Sequence, residues 1–178
     1  DADATAQPEV DAITSATSRP NQVSFNGRIV LPPQRQATVA LTIGGVIKNT
    51  SLLPGQHVTK NSVIATLENP EFITLQQTYL DSHAQTEYLR MEYERQKNLS
   101  AEQAASQKKF QQSKADYLSM KSRQDAAAAQ LSLLGVNPET LLRDGIQPLL
   151  EVKAPISGYV VNVAMNMGKY INPGEALC

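Results

Sequence analysis

The pattern of apolar and polar positions divides the chain into two flanks and a long middle segment. Short runs rich in Val, Ile, Gly and Pro fill the flanks, which is typical of short strands joined by tight turns. All nine glycines lie at or before Gly55 or at or after Gly135, and no proline occurs between Pro70 and Pro138. The middle segment therefore predicts an uninterrupted helical stretch, and the flanks predict β structure.

The two flanks are similar in sequence. When residues 39–65 are shifted by 113 positions without a gap, two pairs of glycines fall in register, Gly45 with Gly158 and Gly55 with Gly168. The apolar pairs that coincide are Val39 and Val152, Ile43 and Ile156, Ile47 and Val160, Val58 and Ile171, and Ile64 and Leu177. Because glycine readily adopts positive φ, these glycines are expected to mark the turns of each copy. Either copy alone would leave an apolar face in water, so we expect the two to pair into one small sandwich or flattened barrel.

The middle segment carries two seams at heptad spacing. Two helices that face each other through such seams form an antiparallel coiled-coil hairpin when a short reversal joins them. The first seam consists of Phe72, Leu75, Tyr79, Ser82, Thr86, Leu89, Tyr93 and Gln96, and the second of Phe110, Ser113, Tyr117, Met120, Gln124, Ala127, Leu131 and Leu134. At about 1.5 Å per residue, each arm should be on the order of 40 Å long.

Local signals predict where the two helices begin and end. Asn69-Pro70-Glu71 is typical of a helix start, with Asn as the cap and Pro at the first helical position. Gly135, with Pro138 shortly after it, predicts the end of the second helix. The reversal is expected within residues 99–106, where a capping box beginning at Ser100 and a cap at Ser106 are both possible.

Composition and charge exclude several classes of function. The chain has 178 residues and a formal net charge of −1, so it has no excess of positive charge for a phosphate backbone, and nucleic acid is not an expected partner. It contains no phosphate loop, dinucleotide-binding glycine pattern, serine elbow or zinc-binding spacing. We therefore expect no enzymatic activity, cofactor or metal.

A few residues of potential chemical interest favour ordinary roles. His57 and His83 have no second ligand at helical or strand spacing, so surface or packing roles are favoured. Met165 and Met167 are two positions apart on a predicted strand and would share one face, where thioethers suit Cu(I), but packing is the favoured interpretation. The single cysteine, Cys178, is the last residue, so no internal disulfide is possible.

The order half-motif, long helical hairpin, half-motif resembles the periplasmic adaptors, or membrane fusion proteins, of tripartite efflux pumps. Three local strings carry the resemblance: Gly55-Gln56-His57-Val58 at a turn, Leu67-Glu68-Asn69-Pro70-Glu71 before the first helix, and Ala154-Pro155-Ile156-Ser157-Gly158. The Asn-Pro helix start and the Leu-Leu-Gly-Val string at 133–136 are similar to the branch that serves resistance-nodulation-division pumps, within the wider HlyD-like family.

The resemblance implies a fold and a division of the chain. The fold is α+β, a lipoyl-like barrel-sandwich hybrid interrupted by the coiled-coil hairpin, with a partial β-barrel strand on its N-terminal side. The expected segments are a linker over 1–22, the barrel strand and hinge over 23–34, the first half-motif over 35–68, the hairpin over 69–136, and a connector with the second half-motif over 137–178.

The resemblance also implies partners and a location. An adaptor of this family is a non-enzymatic periplasmic protein of the Gram-negative envelope that is tethered to the inner membrane and forms a homo-oligomeric ring. It bridges an inner-membrane transporter and an outer-membrane channel. The family carries Arg, then Leu four residues on, then Ser seven later at the hairpin tip; Arg95, Leu99 and Ser106 match this spacing, which implies that they contact the channel.

Three alternatives stay open at this point. The chain could be an adaptor for an ABC-type exporter or a type I secretion system, or a purely structural coiled-coil spacer. The third, a lipoyl or biotinyl carrier domain, holds its modified lysine in the hairpin between the half-motifs. In this chain that junction is Leu67-Glu68-Asn69-Pro70, which has no lysine to acylate.

Overall fold

The computed structural model describes residues 30–102 and 107–178. The linker over 1–22, most of the barrel strand and hinge predicted over 23–34, and Ser106 lie outside the described residues. The chain divides into two units, Asp1–Arg35 and Gln36–Cys178. In the first unit the described residues include one 3-10 turn at Pro33–Arg35, next to the predicted hinge.

The second unit combines two small sheets with a long helical hairpin. Its helices are α1 (Pro70–Glu102), α2 (Gln107–Leu133) and α3 (Pro138–Asp144). Its strands are β1 (Gly45–Thr50), β2 (His57–Val58), β3 (Val63–Glu68), β4 (Leu149–Lys153), β5 (Gly158–Tyr159) and β6 (Tyr170–Ile171). One sheet has the antiparallel order β4-β3-β1-β6, and the other pairs β2 with β5. This arrangement confirms the predicted α+β barrel-sandwich hybrid interrupted by a hairpin.

The internal repeat appears in the structure as an approximate two-fold relation between the two half-motifs. Gly45 pairs with Ile171 between β1 and β6, and the residues 113 positions away, Gly158 and Val58, pair between β5 and β2. The hydrogen bonds of the turns follow the same relation. The Gly55 amide donates to Val160 O at 2.6 Å and the Gly168 amide to Ile47 O at 2.8 Å; the Asn61 amide donates to Ala154 O at 2.8 Å and the Gly174 amide to Leu41 O at 2.7 Å. The predicted pairing of the two copies is therefore confirmed, strand for strand.

The two glycine pairs serve different purposes. Gly55 and Gly168 have φ of 81° and 79° and lie in turns, as expected. Gly45 and Gly158 lie in strands instead, so the expectation that they mark turns is wrong. A Cβ on Gly45 would lie 2.7 Å from Glu68 O, whereas one on Gly158 would meet no atom within 4 Å. Gly45 is therefore required by a close approach of β1 to β3.

The two predicted seams hold the hairpin together. All sixteen seam residues are buried or half-buried. Near the β unit Phe72, Tyr79 and Leu131 belong to one core that is continuous with the sheets. The other buried apolar residues of that core are Ile47, Leu52, Ile64, Ala65, Leu67, Ala127, Leu134, Leu141, Leu150, Val152, Ala154, Val160, Met165, Ile171 and Leu177. The hairpin and the β unit thus share a single core at the hairpin base.

The second helix ends as predicted. Gly135 has φ of 76°, its amide donates to Ser132 O at 2.9 Å, and the Val136 amide donates to Leu131 O at 3.0 Å. These two bonds form a Schellman motif, which satisfies the last carbonyls of α2.

Helix α3 follows directly and was missed in the sequence. Its start, Asn137-Pro138-Glu139, repeats the signal of Asn69-Pro70-Glu71, and the Asn137 side chain accepts from the Glu139 amide at 3.0 Å. The buried Leu141 joins α3 to the core.

Two further expectations are wrong. Ser100 does not cap α2, because α1 continues to Glu102 and the Ser100 hydroxyl donates back to Lys97 O. Met165 and Met167 do not share a face: Met165 is 5% exposed and Met167 is 63% exposed. The turn around Gly168, where the Lys169 amide donates to Asn166 O, interrupts the two-residue period there.

Candidate functional site

The hairpin starts at a residue that is bonded to both the helix and the β unit. The buried Asn69 side chain accepts hydrogen bonds from the amides of Glu71 and Phe72, which confirms the predicted cap. Its Nδ2 donates to Gly44 O at 2.6 Å, immediately before β1. The side-chain amide of Asn69 therefore caps α1 and links the start of this helix to the backbone just before β1.

A second buried amide, which the sequence did not reveal, holds the other side of the hairpin base. Gln76 is fully buried in α1. Its Oε1 accepts from the Gln147 amide at 2.8 Å and its Nε2 donates to Gln147 O at 2.9 Å and to Phe72 O at 3.1 Å. Gln147 lies between α3 and β4, so this bidentate contact attaches the outgoing helix to the strand that returns to the sheet.

Polar residues pair across the middle of the hairpin. Gln124 of α2 lies 2.9 Å from His83 Nδ1 of α1, and the His83 ring packs at a tilt beside Tyr79 with centroids 6.1 Å apart. The packing role favoured for His83 is therefore what the structure shows. His57 is exposed and packs edge-on against Tyr159.

Aromatic residues stiffen the distal third of the hairpin. The Tyr93 ring stacks on Phe110 and on Tyr117, with centroid distances of 5.6 and 5.7 Å and interplanar angles of 21° and 4°. All three belong to the predicted seams. Aromatic side chains lose little rotational freedom when they stack, so they hold the last turns of α1 and the first turns of α2 together.

The residues expected at the tip lie at the distal end of α1. Arg95 and Leu99 are one helical turn apart and so share a face. The Arg95 guanidinium bonds Glu92 at 2.8 Å and its side chain remains 64% exposed. Leu99 is 48% exposed. Ser106 lies outside the described residues.

Leu99 is not part of the seam. The heptad pattern passes from Gln96 to Ser100, both of which are half-buried, and leaves Leu99 on the outer surface. With about half of its surface in solvent, Leu99 contributes less to the contact between α1 and α2 than the seam residues do. Its role in packing within the hairpin is therefore small.

Two lysines of the half-motifs, Lys60 and Lys169, lie in turns. Lys60 lies in the turn Thr59–Ser62, and Lys169 closes another turn, where its Nζ bonds Ala164 O and Glu175, each at 2.8 Å. The junction between β3 and α1 is occupied by Asn69. Across the ranges the structure describes, no group of three His, Cys, Asp or Glu side chains is placed to hold a metal ion.

Comparison with known proteins identifies the family. The profile of the CzcB-like, barrel-sandwich hybrid domain matches residues 35–178. The chain belongs to this family. The resemblance to the membrane fusion proteins that serve as periplasmic adaptors of efflux pumps is thereby confirmed.

Solved structures show the same fold. ZneB from Cupriavidus metallidurans is 25% identical with a TM-score of 0.57, over 79% of this chain and 58% of ZneB. A putative efflux transporter from Bacteroides eggerthii is 26% identical with a TM-score of 0.55, over 79% of this chain and 37% of the transporter. A MacA–MexA chimera with the Pseudomonas aeruginosa MexA α-hairpin shares the fold at 21% identity and a TM-score of 0.57, over 79% of this chain and 45% of the chimera.

These relatives are all longer than this chain, which spans between 37% and 58% of their length. No curated protein matches the sequence. Within the described ranges, none of the helices combines the length and the apolar character that crossing a bilayer requires.

Proposed function

We propose that this chain is a non-enzymatic adaptor that bridges an inner-membrane transporter and an outer-membrane channel in a tripartite efflux pump. The observation that carries this proposal is the exposed, off-seam position of Leu99 beside Arg95 at the distal end of the hairpin. Ordering a hairpin of this length costs conformational entropy and buries little apolar surface in return. We therefore infer that its distal end contacts a partner.

The chemistry of the tip suits a helical partner. A guanidinium offers a planar pair of donors to carboxylates or to helix-end carbonyls, and an exposed leucine can fill a hole between partner side chains. Arg95, Leu99 and Ser106 are proposed to contact the channel together. The single ion pair with Glu92 leaves most of the Arg95 side chain accessible to such a partner.

The remaining parts of the proposal rest on family membership. The chain acts in the periplasm, attached to the inner membrane, and its β unit assembles with copies of itself into a ring. The transporter is of the resistance-nodulation-division type. The junction residues leave no amine for acylation, which argues against a carrier function.

Crosslinking in living cells tests the bridging role. A photoreactive residue replacing Leu99 should capture an outer-membrane protein, identified by mass spectrometry of the adduct. The matched control is a photoreactive residue at Leu118, which is equally exposed at 49% but lies on the shaft of α2. Failure of position 99 to capture any outer-membrane protein, or equal capture of the same protein from position 118, would contradict docking through the tip.

Substitution at the tip tests its importance for export. Arg95→Glu and Leu99→Asp should abolish resistance to the toxic compounds or metal salts that the pump exports, while thermal stability changes little because both side chains are exposed. Leu118→Asp and Arg123→Glu, on the exposed shaft of α2, are the matched controls and should retain resistance. Wild-type resistance in both tip variants would refute the assignment of these residues.

A further inference from the structure

The distal end of the hairpin is strongly basic in a chain that is nearly neutral. The twenty residues from Arg95 to Lys114 contain five basic side chains and one acidic residue, Glu102, while the whole chain has a formal net charge of −1. The shaft next to this region is acidic, with Glu87, Glu92 and Glu94 on α1. Positive charge is therefore concentrated at one end of the rod.

Most of this positive charge is not neutralised within the described ranges. Lys97, Lys108, Lys109 and Lys114 are exposed, and no described carboxylate lies within salt-bridge distance of them. Two basic residues on the shaft, Arg90 and Lys121, are paired by contrast. Arg90 bonds Glu87 at 3.1 Å and Glu94 at 3.0 Å, which raises its pKa, and Lys121 bonds Asp125 at 2.9 Å.

Two of the lysines occupy positions that are unfavourable for the helix itself. Lys108 and Lys109 lie in the first turn of α2, which contains no acidic residue. The N-terminal end of a helix carries partial positive charge, so acidic side chains stabilise it and basic ones destabilise it. Residues that break a local rule of this kind are expected at functional sites.

The exposed leucine lies at the same end of the hairpin as these charges. Because α1 and α2 are antiparallel and Tyr93 stacks on Phe110, Leu99 lies farther toward the tip, level with the first turn of α2. The distal end of the hairpin thus presents one exposed leucine and exposed basic side chains on both helices. A membrane surface would be met by a wide apolar helix face, but the residues one turn before Leu99 on α1, Arg95 and Gln96, are polar.

We propose that Lys97, Lys108 and Lys109, at the same end of the hairpin as Leu99, form a basic docking surface for an acidic protein partner, one that presents carboxylates beside an apolar hole. This inference rests on the proposed docking of the tip to an outer-membrane protein and specifies the chemistry of that contact. Charge complementarity of this kind chiefly accelerates encounter and selects the partner, and it weakens as salt is added.

The test uses the full-length protein carrying a photoreactive residue at position 99, in cell-envelope preparations. Capture is compared at about 0.01 M and about 1 M salt, where the Debye length is about 30 Å and about 3 Å. Three variants change the charge in steps at the first turn of α2: Lys108→Arg with Lys109→Arg, Lys108→Gln with Lys109→Gln, and Lys108→Glu with Lys109→Glu. The matched control reverses a shaft charge, Arg123→Glu.

At low salt, initial capture should fall at least about tenfold in the Glu variant, fall less in the Gln variant and persist in the Arg variant and the shaft control. High salt should reduce wild-type capture by a similar factor and have little effect on the Glu variant. The melting temperature of the Glu variant should be equal to or higher than that of the wild type, because acidic residues suit that end of α2. Loss of capture with unreduced stability separates a docking role from a folding defect.

The results that overturn the inference are distinct from those that overturn the proposed function. Wild-type capture of an outer-membrane protein that is insensitive to both salt and charge reversal overturns the basic docking surface and leaves the bridging role standing. A crosslinked partner segment without carboxylates has the same consequence. Binding of the wild type, but not of the Glu variant, to phosphatidylglycerol vesicles would assign the surface to lipid instead. Absence of any captured outer-membrane protein overturns both proposals.

Discussion

Replacement of Gln76 by leucine tests whether a single buried amide fixes the hairpin to the β unit. The two side chains are similar in size, so the change mainly removes hydrogen bonds. The lost bonds to Gln147 are those at 2.8 and 2.9 Å, together with the bond to Phe72 O at 3.1 Å. A hydrogen bond contributes about 0.5–1.5 kcal/mol net, so loss of the two bonds between segments should lower the free energy of unfolding by about 1–3 kcal/mol.

This loss is large enough to measure by thermal unfolding. For a domain of this size, 1 kcal/mol shifts the melting temperature by about 3–4 °C, so Gln76→Leu should melt about 3–12 °C lower than the wild type. Gln77→Leu is the matched control, since Gln77 is the next residue of α1 and is exposed. It should change the melting temperature by no more than about 1–2 °C.

Hydrogen exchange gives a second and more local readout. In the wild type the Gln147 amide donates to Gln76 Oε1, and Gln76→Leu should accelerate exchange of this amide well beyond its effect on the amides of α2. If Gln76→Leu melts at the wild-type temperature and the Gln147 amide stays protected, the bidentate contact does not hold the base of the hairpin and the reasoning fails.

Two further predictions concern the β unit. Gly45→Ala should destabilise the fold by about 1–3 kcal/mol, because the new Cβ would lie 2.7 Å from Glu68 O. Gly158→Ala, at the equivalent position of the second half-motif, should be nearly neutral. Equal effects of the two substitutions in chemical denaturation would contradict the close-approach argument. Hydrogen bonds from the Lys169 ammonium and from the Asn172 amide and side chain lower the pKa of Glu175 from 4.5 to about 2. The contribution of the ionised Glu175 carboxylate to stability is therefore present above about pH 4.5 and is lost as the pH falls toward 2. Glu175→Gln should therefore be less stable than the wild type at neutral pH and equally stable near pH 2, and a difference that persists unchanged at acid pH would count against this.

Features set by spacing could be predicted from the sequence. The heptad seams, the Asn69 cap, the Gly135 stop and the pairing of the two half-motifs all depend on residue type at fixed intervals, and periodicity reports such intervals directly. The predicted seam ends at Gln96 and leaves open whether Leu99 continues it, and the structure answers this by exposing Leu99.

Features set by contacts between distant segments could not be predicted. Gln76 and Gln147 are 71 residues apart, and nothing in a glutamine indicates which backbone it will bond. The different roles of Gly45 and Gly158 have the same origin, since only one of these equivalent positions faces the strand that leads into α1. Helix α3 is a different case. Its start, Asn137-Pro138-Glu139, is a typical helix-start signal, but seven residues are too few to show a periodic apolar face.

The interruption of one β unit by the hairpin has a consequence for the folding pathway. Strands β1 and β6, and β2 and β5, pair across more than a hundred residues of chain, so a flexible connection would make their association slow. Coiled-coil helices with local contacts form much faster. Once α1 and α2 have paired, Phe72 and Leu134 lie at the same end of the hairpin. We therefore expect the hairpin to form first and to bring the two half-motifs close together, so that a long loop closure becomes a short one. Substitutions in its seam should then slow refolding of the sheets as well as weaken the helices.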